Sequence, residues 1–285
     1  MSQVWAIARQ TFWECTRRRV FVVVPVVTLL FIGLFALGAH YAFRQAGGTI
    51  QTGARFLDAR SLIGATLMGL AMFTSLFLGS ALAIFLTFGA VRGDAEQGIL
   101  QQLVVRPVAR SGLLLGRFLG ASILCVVYIF VLYLGSVLVV GLTGQWWPDP
   151  LLTPGLSLAA AIPIVIGLSL LGSIYLGAIP NGIAMFMVYG AGLMAGLLGQ
   201  LGDLISSPAL ENTGKIAAWA LPFEALYQSG LNTLTSGATG ITRIIVQLGP
   251  LGGAQPGGPL LLLWCALYLV LIGSVALWSF SRRDL

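Results

Sequence analysis

Few residues in this chain could carry chemistry, and they stand apart. His40 is the only histidine and Lys215 the only lysine. One histidine gives little material for a metal site or a Ser–His protease. A phosphate-binding loop would read G-x-x-x-x-G-K-[ST], but Lys215 follows Gly214 in Asn-Thr-Gly-Lys-Ile and the rest is missing. ATP is therefore not expected on a Walker loop of this chain. Gly167-Leu168-Ser169 is a faint nucleophile setting. A serine in an apolar run usually bonds backbone or a neighbouring helix instead. Cys15, Cys125 and Cys265 lack metal-ligand spacing and predict no disulfide framework. No catalytic, cofactor-binding or metal residue is expected.

The elements around these residues explain the scarcity. Hydrophobic residues make up 58% of the 285 and charged ones 8%, against roughly 25% charged in a soluble protein. Mean hydropathy is +0.95. So few charges could not cover a soluble fold of this size, which excludes a soluble enzyme or a free nucleic-acid binder. Six segments are long and apolar enough to span a bilayer: Val20–Phe43, Leu62–Val91, Leu113–Leu142, Leu156–Ile179, Gly182–Leu201 and Pro259–Phe280. Pro180 and Asn181 are read as the break between the fourth and fifth. Arg17, Arg18 and Arg19 before the first run resemble a signal peptide, but the run is too long and is read as a retained span.

Arginine placement sets an expected orientation. With the N-terminus in the cytoplasm, the inside carries Arg9, Arg17, Arg18, Arg19, Arg92, Arg106, Arg110, Arg117, Arg282 and Arg283. The outside holds Arg44, Arg55, Arg60, Lys215 and Arg243. Ten against five places both termini inside, with the three arginines after the first span against the trend. Trp146 and Trp147 fit an external interfacial belt. The stretch 202–258 is broken by Gly and Pro into apolar pieces too short to span, such as Ile216–Leu221 and Ile241–Leu248. Short external or re-entrant helices are expected there.

Two cytoplasmic segments carry more information. In residues 1–19, Val4, Trp5, Ala8, Phe12 and Cys15 share a helical face opposite Arg9, Gln10, Glu14 and Arg17. Ile7 and Trp13 weaken the pattern. An interfacial helix built on Trp5, Arg9, Phe12, Arg17, Arg18 and Arg19 is expected, although the arginines alone would serve as an ordinary anchor. In the second loop, 92–111, Asp94 can cap a helix with Gln97 at its third position. Ile99, Leu100, Leu103 and Val104 form its apolar face, and Pro107 ends it. The periodicity suits a docking surface for a cytoplasmic partner and a helix resting on the bilayer equally well. Gly112, Gly116 and Gly120 then recur every four residues, a helix-packing pattern. Gly192, Ala195, Gly196 and Gly199 form a second small-residue face, which could pack within or between subunits.

The second loop resembles the region after the second span in permease subunits of type-2 ABC exporters. The matching residues are Glu96, Gly98, Leu100, Arg106, Pro107, Val108, Arg110, Gly116 and Gly120, with Ile99 where a Thr commonly follows the Gly. The opening AIARQTFWECTRRR, the run LPFEALY at Leu221–Tyr227 and the terminal RRDL agree. The resemblance covers nearly the whole chain. It is nearest to the short permeases that include the membrane subunit of nitrous-oxide-reductase maturation.

The resemblance implies an all-α integral membrane protein in which residues 1–285 form a single six-span permease domain. Residues 1–19 become an elbow helix. Asp94, Glu96, Gln97, Gly98, Leu100, Leu103, Arg106, Pro107 and Arg110 become a coupling helix seated in a separate ATP-binding subunit. Two ATPase copies, holding ATP and Mg, would drive two permease copies in a bacterial or archaeal cytoplasmic membrane. This chain itself would bind no cofactor and no nucleic acid. LPFEALY would belong to short extracellular helices, with Glu224 read as an exposed loop carboxylate rather than a gate-lining one. The competing readings are a secondary transporter, which the near-absence of ionisable residues in the spans disfavours, and a noncatalytic membrane scaffold.

Overall fold

The computed structural model describes residues 20–49, 59–91, 110–235 and 257–282, and every regular element among them is an α-helix. The order is α1 (Val20–Thr49), α2 (Ala59–Thr87), α3 (Arg110–Gly144), α4 (Thr153–Tyr175), α5 (Ala178–Leu204), α6 (Pro208–Ala220), α7 (Pro222–Thr235) and α8 (Leu261–Ser281). Six of these, α1 to α5 and α8, are long and apolar enough to cross a membrane. Backbone groups in hydrocarbon must be satisfied within their own segment, so long apolar runs fold as helices. The elbow region 1–19 and the loop 92–109 lie outside the described residues.

The centre of the bundle is α4. It packs on α2, α3, α5, α7 and α8, and 67% of its most apolar stretch is buried, against 11% for α1 and 17% for α8. Ile162, Ile164, Val165 and Ile166 of α4 are enclosed, with Met68, Met72 and Leu76 of α2 and Ile129 and Tyr133 of α3 in the same core. α1 rests against α3 and α2, joined by a 2.8 Å hydrogen bond between the Thr28 and Tyr128 hydroxyls.

The predicted break at Pro180–Asn181 is corrected. α4 ends at Tyr175, Gly177 caps α5, and both residues lie in the first turn of α5. Proline is tolerated there because the first backbone N–H groups of a helix have no intrahelical acceptor. The Asn181 N–H makes the first such bond, to the Gly177 carbonyl at 3.0 Å. The second span also ends earlier than Val91, with residues 88–91 in a turn.

Within 202–258, where short helices are expected, the described residues form α6 and α7. α6 buries none of its residues and lies along α5. Glu211 and Lys215 pair across one of its turns. α7 is inserted among α4, α2, α5 and α8, with Phe223, Leu226, Tyr227, Leu231 and Leu234 buried. The last carbonyls of α6 have no intrahelical donors. The Trp264 indole N–H supplies one to the Trp219 carbonyl at 3.0 Å, and the Tyr268 hydroxyl one to the Ala220 carbonyl at 2.7 Å.

Candidate functional site: a clamped loop end and a buried polar cluster

The turn that leads into residue 92 is held to two other helices by one side chain. Asn181 is 1% exposed. Its Nδ2 donates to the Phe88 carbonyl and to the Ser169 carbonyl, both at 2.9 Å. Two carbonyl acceptors fix which end of the amide is nitrogen. Its Oδ1 lies over Gly172, where a β-carbon could not be accommodated. The amide thus ties the turn after α2 to α4 and to the start of α5. A second tie at this end runs from the Ser279 hydroxyl of α8 to the Tyr175 hydroxyl of α4, 2.8 Å. Arg282 covers the Trp278 ring at 4.3 Å, an amphipathic pair suited to a membrane boundary.

Of the predicted coupling residues, Asp94, Glu96, Gln97, Gly98, Leu100, Leu103, Arg106 and Pro107 lie outside the described residues. Arg110 is the first residue of α3. Trp5, Arg9, Phe12, Arg17, Arg18 and Arg19 also lie outside the described residues. Gly116 and Gly120 are buried in α3 and Gly112 half-buried. Ser169 is fully buried, and its hydroxyl has no hydrogen-bond partner among the described residues, so it is not presented as a nucleophile.

A second cluster lies where α7 meets α5. The small-residue face of α5 accepts α6 and α7 of the same chain, which decides between packing within and between subunits. A β-carbon on Gly192 would sit 2.8 Å from the Phe223 ring, and one on Gly196 would sit 2.7 Å from Glu224 Oε1. One on Gly214 of α6 would sit 2.5 Å from the Gly199 Cα. The expectation that Glu224 is an exposed loop carboxylate is overturned: it is 4% exposed. Packing of α7 onto Gly196 carries it inward, because no side chain at that position holds the helices apart.

Gln228 donates to Glu224 Oε1 at 3.3 Å, and Oε2 has no hydrogen-bond partner among the described residues. Burial pushes the Glu224 carboxyl up to about 8, with the Gln228 contact opposing only in part. Burial, then the neighbouring Glu224 and Tyr189, holds the Tyr227 phenol well above its usual range. The Tyr189 ring stacks on Phe223 at 5.8 Å, and its buried hydroxyl likewise has no partner among the described residues. Tyr189 is about 16 Å along α5 at about 1.5 Å per residue, roughly half of the hydrocarbon thickness. Glu224 and Gln228, four residues apart in an otherwise apolar helical pattern, were the available sequence signal. Asn181, read as a turn residue, gave none. No group of three or more His, Cys, Asp or Glu residues among the described residues could hold a metal ion.

Residues 5–285 match the sequence model of a family described as ABC-2 family transporter protein. The chain belongs to that family. Two relatives are similar to part of this ABC-2 family chain. It is 30% identical over 132 residues to the probable ABC transporter permease protein NosY of Stutzerimonas stutzeri, covering 46% of this chain and 43% of the relative. It is 31% identical over 125 residues to the protein of that name from Pseudomonas aeruginosa, covering 44% and 40%. The chain thus spans less than half the length of the curated relatives it matches.

Proposed function

We propose that this chain is the membrane-spanning permease subunit of an ATP-binding-cassette exporter. A second permease copy completes the pathway, and two separate ATPase subunits, which hold ATP and Mg, supply the energy. Residues 1–285 act as one permease domain in a bacterial or archaeal cytoplasmic membrane, with both termini cytoplasmic. The observation that carries this reading is the family match across residues 5–285. Residues 92–110 act as the coupling helix and residues 1–19 as the elbow. The clamp at Asn181 supports the coupling role, since it joins the chain just before residue 92 to two neighbouring helices.

One observation favours a second reading. A carboxyl buried among the helices of the bundle, as Glu224 is, is the kind of group a proton-coupled carrier uses. The two readings separate in proteoliposomes containing the chain with candidate ATPases. Transport that needs ATP and persists without a proton gradient supports the exporter; transport driven by the gradient alone overturns it. Within the exporter reading, Glu96→Lys and Arg106→Glu are expected to weaken co-purification of the ATPase. Unchanged assembly and ATP-driven transport would remove residues 92–110 from the coupling role.

A further inference from the structure

The end of the bundle opposite the Asn181 clamp carries a cationic pocket of about 350 Å³ between α1, α2 and α3. His40 and Arg44 come from the last turns of α1, Arg60 from the first turn of α2, and Thr143 from the end of α3. Neither arginine has an ion-pair partner among the described residues. Phe43 and Leu142 form its apolar wall, and Leu142 is 76% exposed. Trp146 packs on Gly64 of α2 and Trp147 on Gly141 of α3 at the same end. Indole rings concentrate at headgroup level.

Arg44 and Arg60 belong to the segment that runs against the charge asymmetry of the other connections. The fold converts that anomaly into a shared site, bringing together two guanidinium groups 16 positions apart in sequence. Each presents a planar fork of donors suited to phosphate oxygens.

We infer that His40, Arg44 and Arg60 form a binding site for the phosphate of an anionic phospholipid headgroup, with an acyl chain running down the exposed Leu142 and Leu138 surface of α3. Phosphate oxyanion chemistry alone would also suit a free anion. The apolar wall, and the opening at the level of the tryptophans, select the lipid. In the orientation proposed above this is the outer leaflet. The inference rests on membrane placement and not on the transport reading.

The test titrates the full-length chain in mild detergent with phosphatidylglycerol, phosphatidylcholine or inorganic phosphate, with bound lipid counted by native mass spectrometry. An arginine beside an anionic headgroup is worth about fivefold in affinity, so Arg44→Gln with Arg60→Gln should weaken phosphatidylglycerol binding about 25-fold. Each single variant should lose about fivefold, which keeps the test available if the double variant does not fold. Arg44→Lys with Arg60→Lys should retain most of the binding, because the charge remains. Phosphatidylcholine should bind wild type more weakly than phosphatidylglycerol. Equal phosphatidylglycerol binding by wild type and the glutamine variants would overturn the site. Displacement of the lipid by inorganic phosphate at the same concentration would overturn the lipid as its occupant.

Discussion

Glu224→Gln tests whether α7 holds its carboxyl in a dry interior. The folded protein raises this group from 4.5 to about 8 because burial penalises the anion. A carboxyl raised on folding adds stability that is fully present below its unfolded value and disappears as pH rises through its folded value. At about 1.4 kcal/mol per pH unit, the gap amounts to roughly 5 kcal/mol above pH 8 and roughly 3 kcal/mol at pH 7. Wild type should therefore lose stability steadily between about pH 5 and 8. Glutamine has nearly the same shape and no charge at any pH. The variant should match wild type near pH 4.5 within about 1 kcal/mol and exceed it increasingly above.

Equilibrium unfolding in mixed micelles at a series of pH values measures this directly. The difference between the two profiles isolates position 224, since Tyr189, Tyr227 and all other titrating groups are common to both. Parallel profiles would show that Glu224 is solvated in the folded protein, and the placement of α7 would be wrong. A variant less stable than wild type at pH 8 would show that the anion has a favourable partner, against the unpartnered Oε2 seen here.

Asn181→Ala removes two hydrogen bonds to buried carbonyls and should cost about 1–2 kcal/mol in the same unfolding assay. Asn181→Asp should cost more than alanine, because both bonds leave through Nδ2 and a carboxylate would face two carbonyl oxygens; an aspartate milder than alanine would refute the clamp. Gly214→Ala forces a β-carbon against the α5 backbone and should cost about 1–3 kcal/mol. Gly190→Ala, with nothing within 4 Å, should be neutral or stabilising by up to about 1 kcal/mol. Single cysteines at Gly47 and Ser111 should react with an impermeant thiol reagent from opposite sides of the membrane; labelling from one side would overturn the topology.

The six spans were legible because run length against bilayer thickness is a local property of the chain. So were short helices within 202–258, since Gly and Pro punctuate pieces too short to cross. What the sequence hid depends on distant partners. Asn181 beside Pro180 reads as a turn, yet its amide bonds lie 12 and 93 positions away. Glu224 in a non-spanning segment reads as solvated by default. Its burial follows from Gly196, on another helix, leaving room for α7 to approach. A local pattern shows that Gly196 can admit a neighbour, but not which neighbour it admits.

These contacts also bear on how an ATP-driven push would travel. A displacement of residues 92–109 acts first on the ends of α2 and α3, and both helices pack on α4. The Asn181 amide resists sliding of the α2 end past α4 and α5, so the three should move together at that end. Toward the other end, α7 is wedged between α4 and α5, and its contacts there include unpartnered polar atoms at Glu224 and Tyr189. Buried polar atoms without partners are costly, and a rearrangement that let water or substrate reach them would recover part of that cost. Opening at the loop end would instead have to break the Asn181 and Ser279 hydrogen bonds that join its helices. On this physical argument the α5–α7 contact, rather than the clamped end, is where an exporter built on this bundle should open.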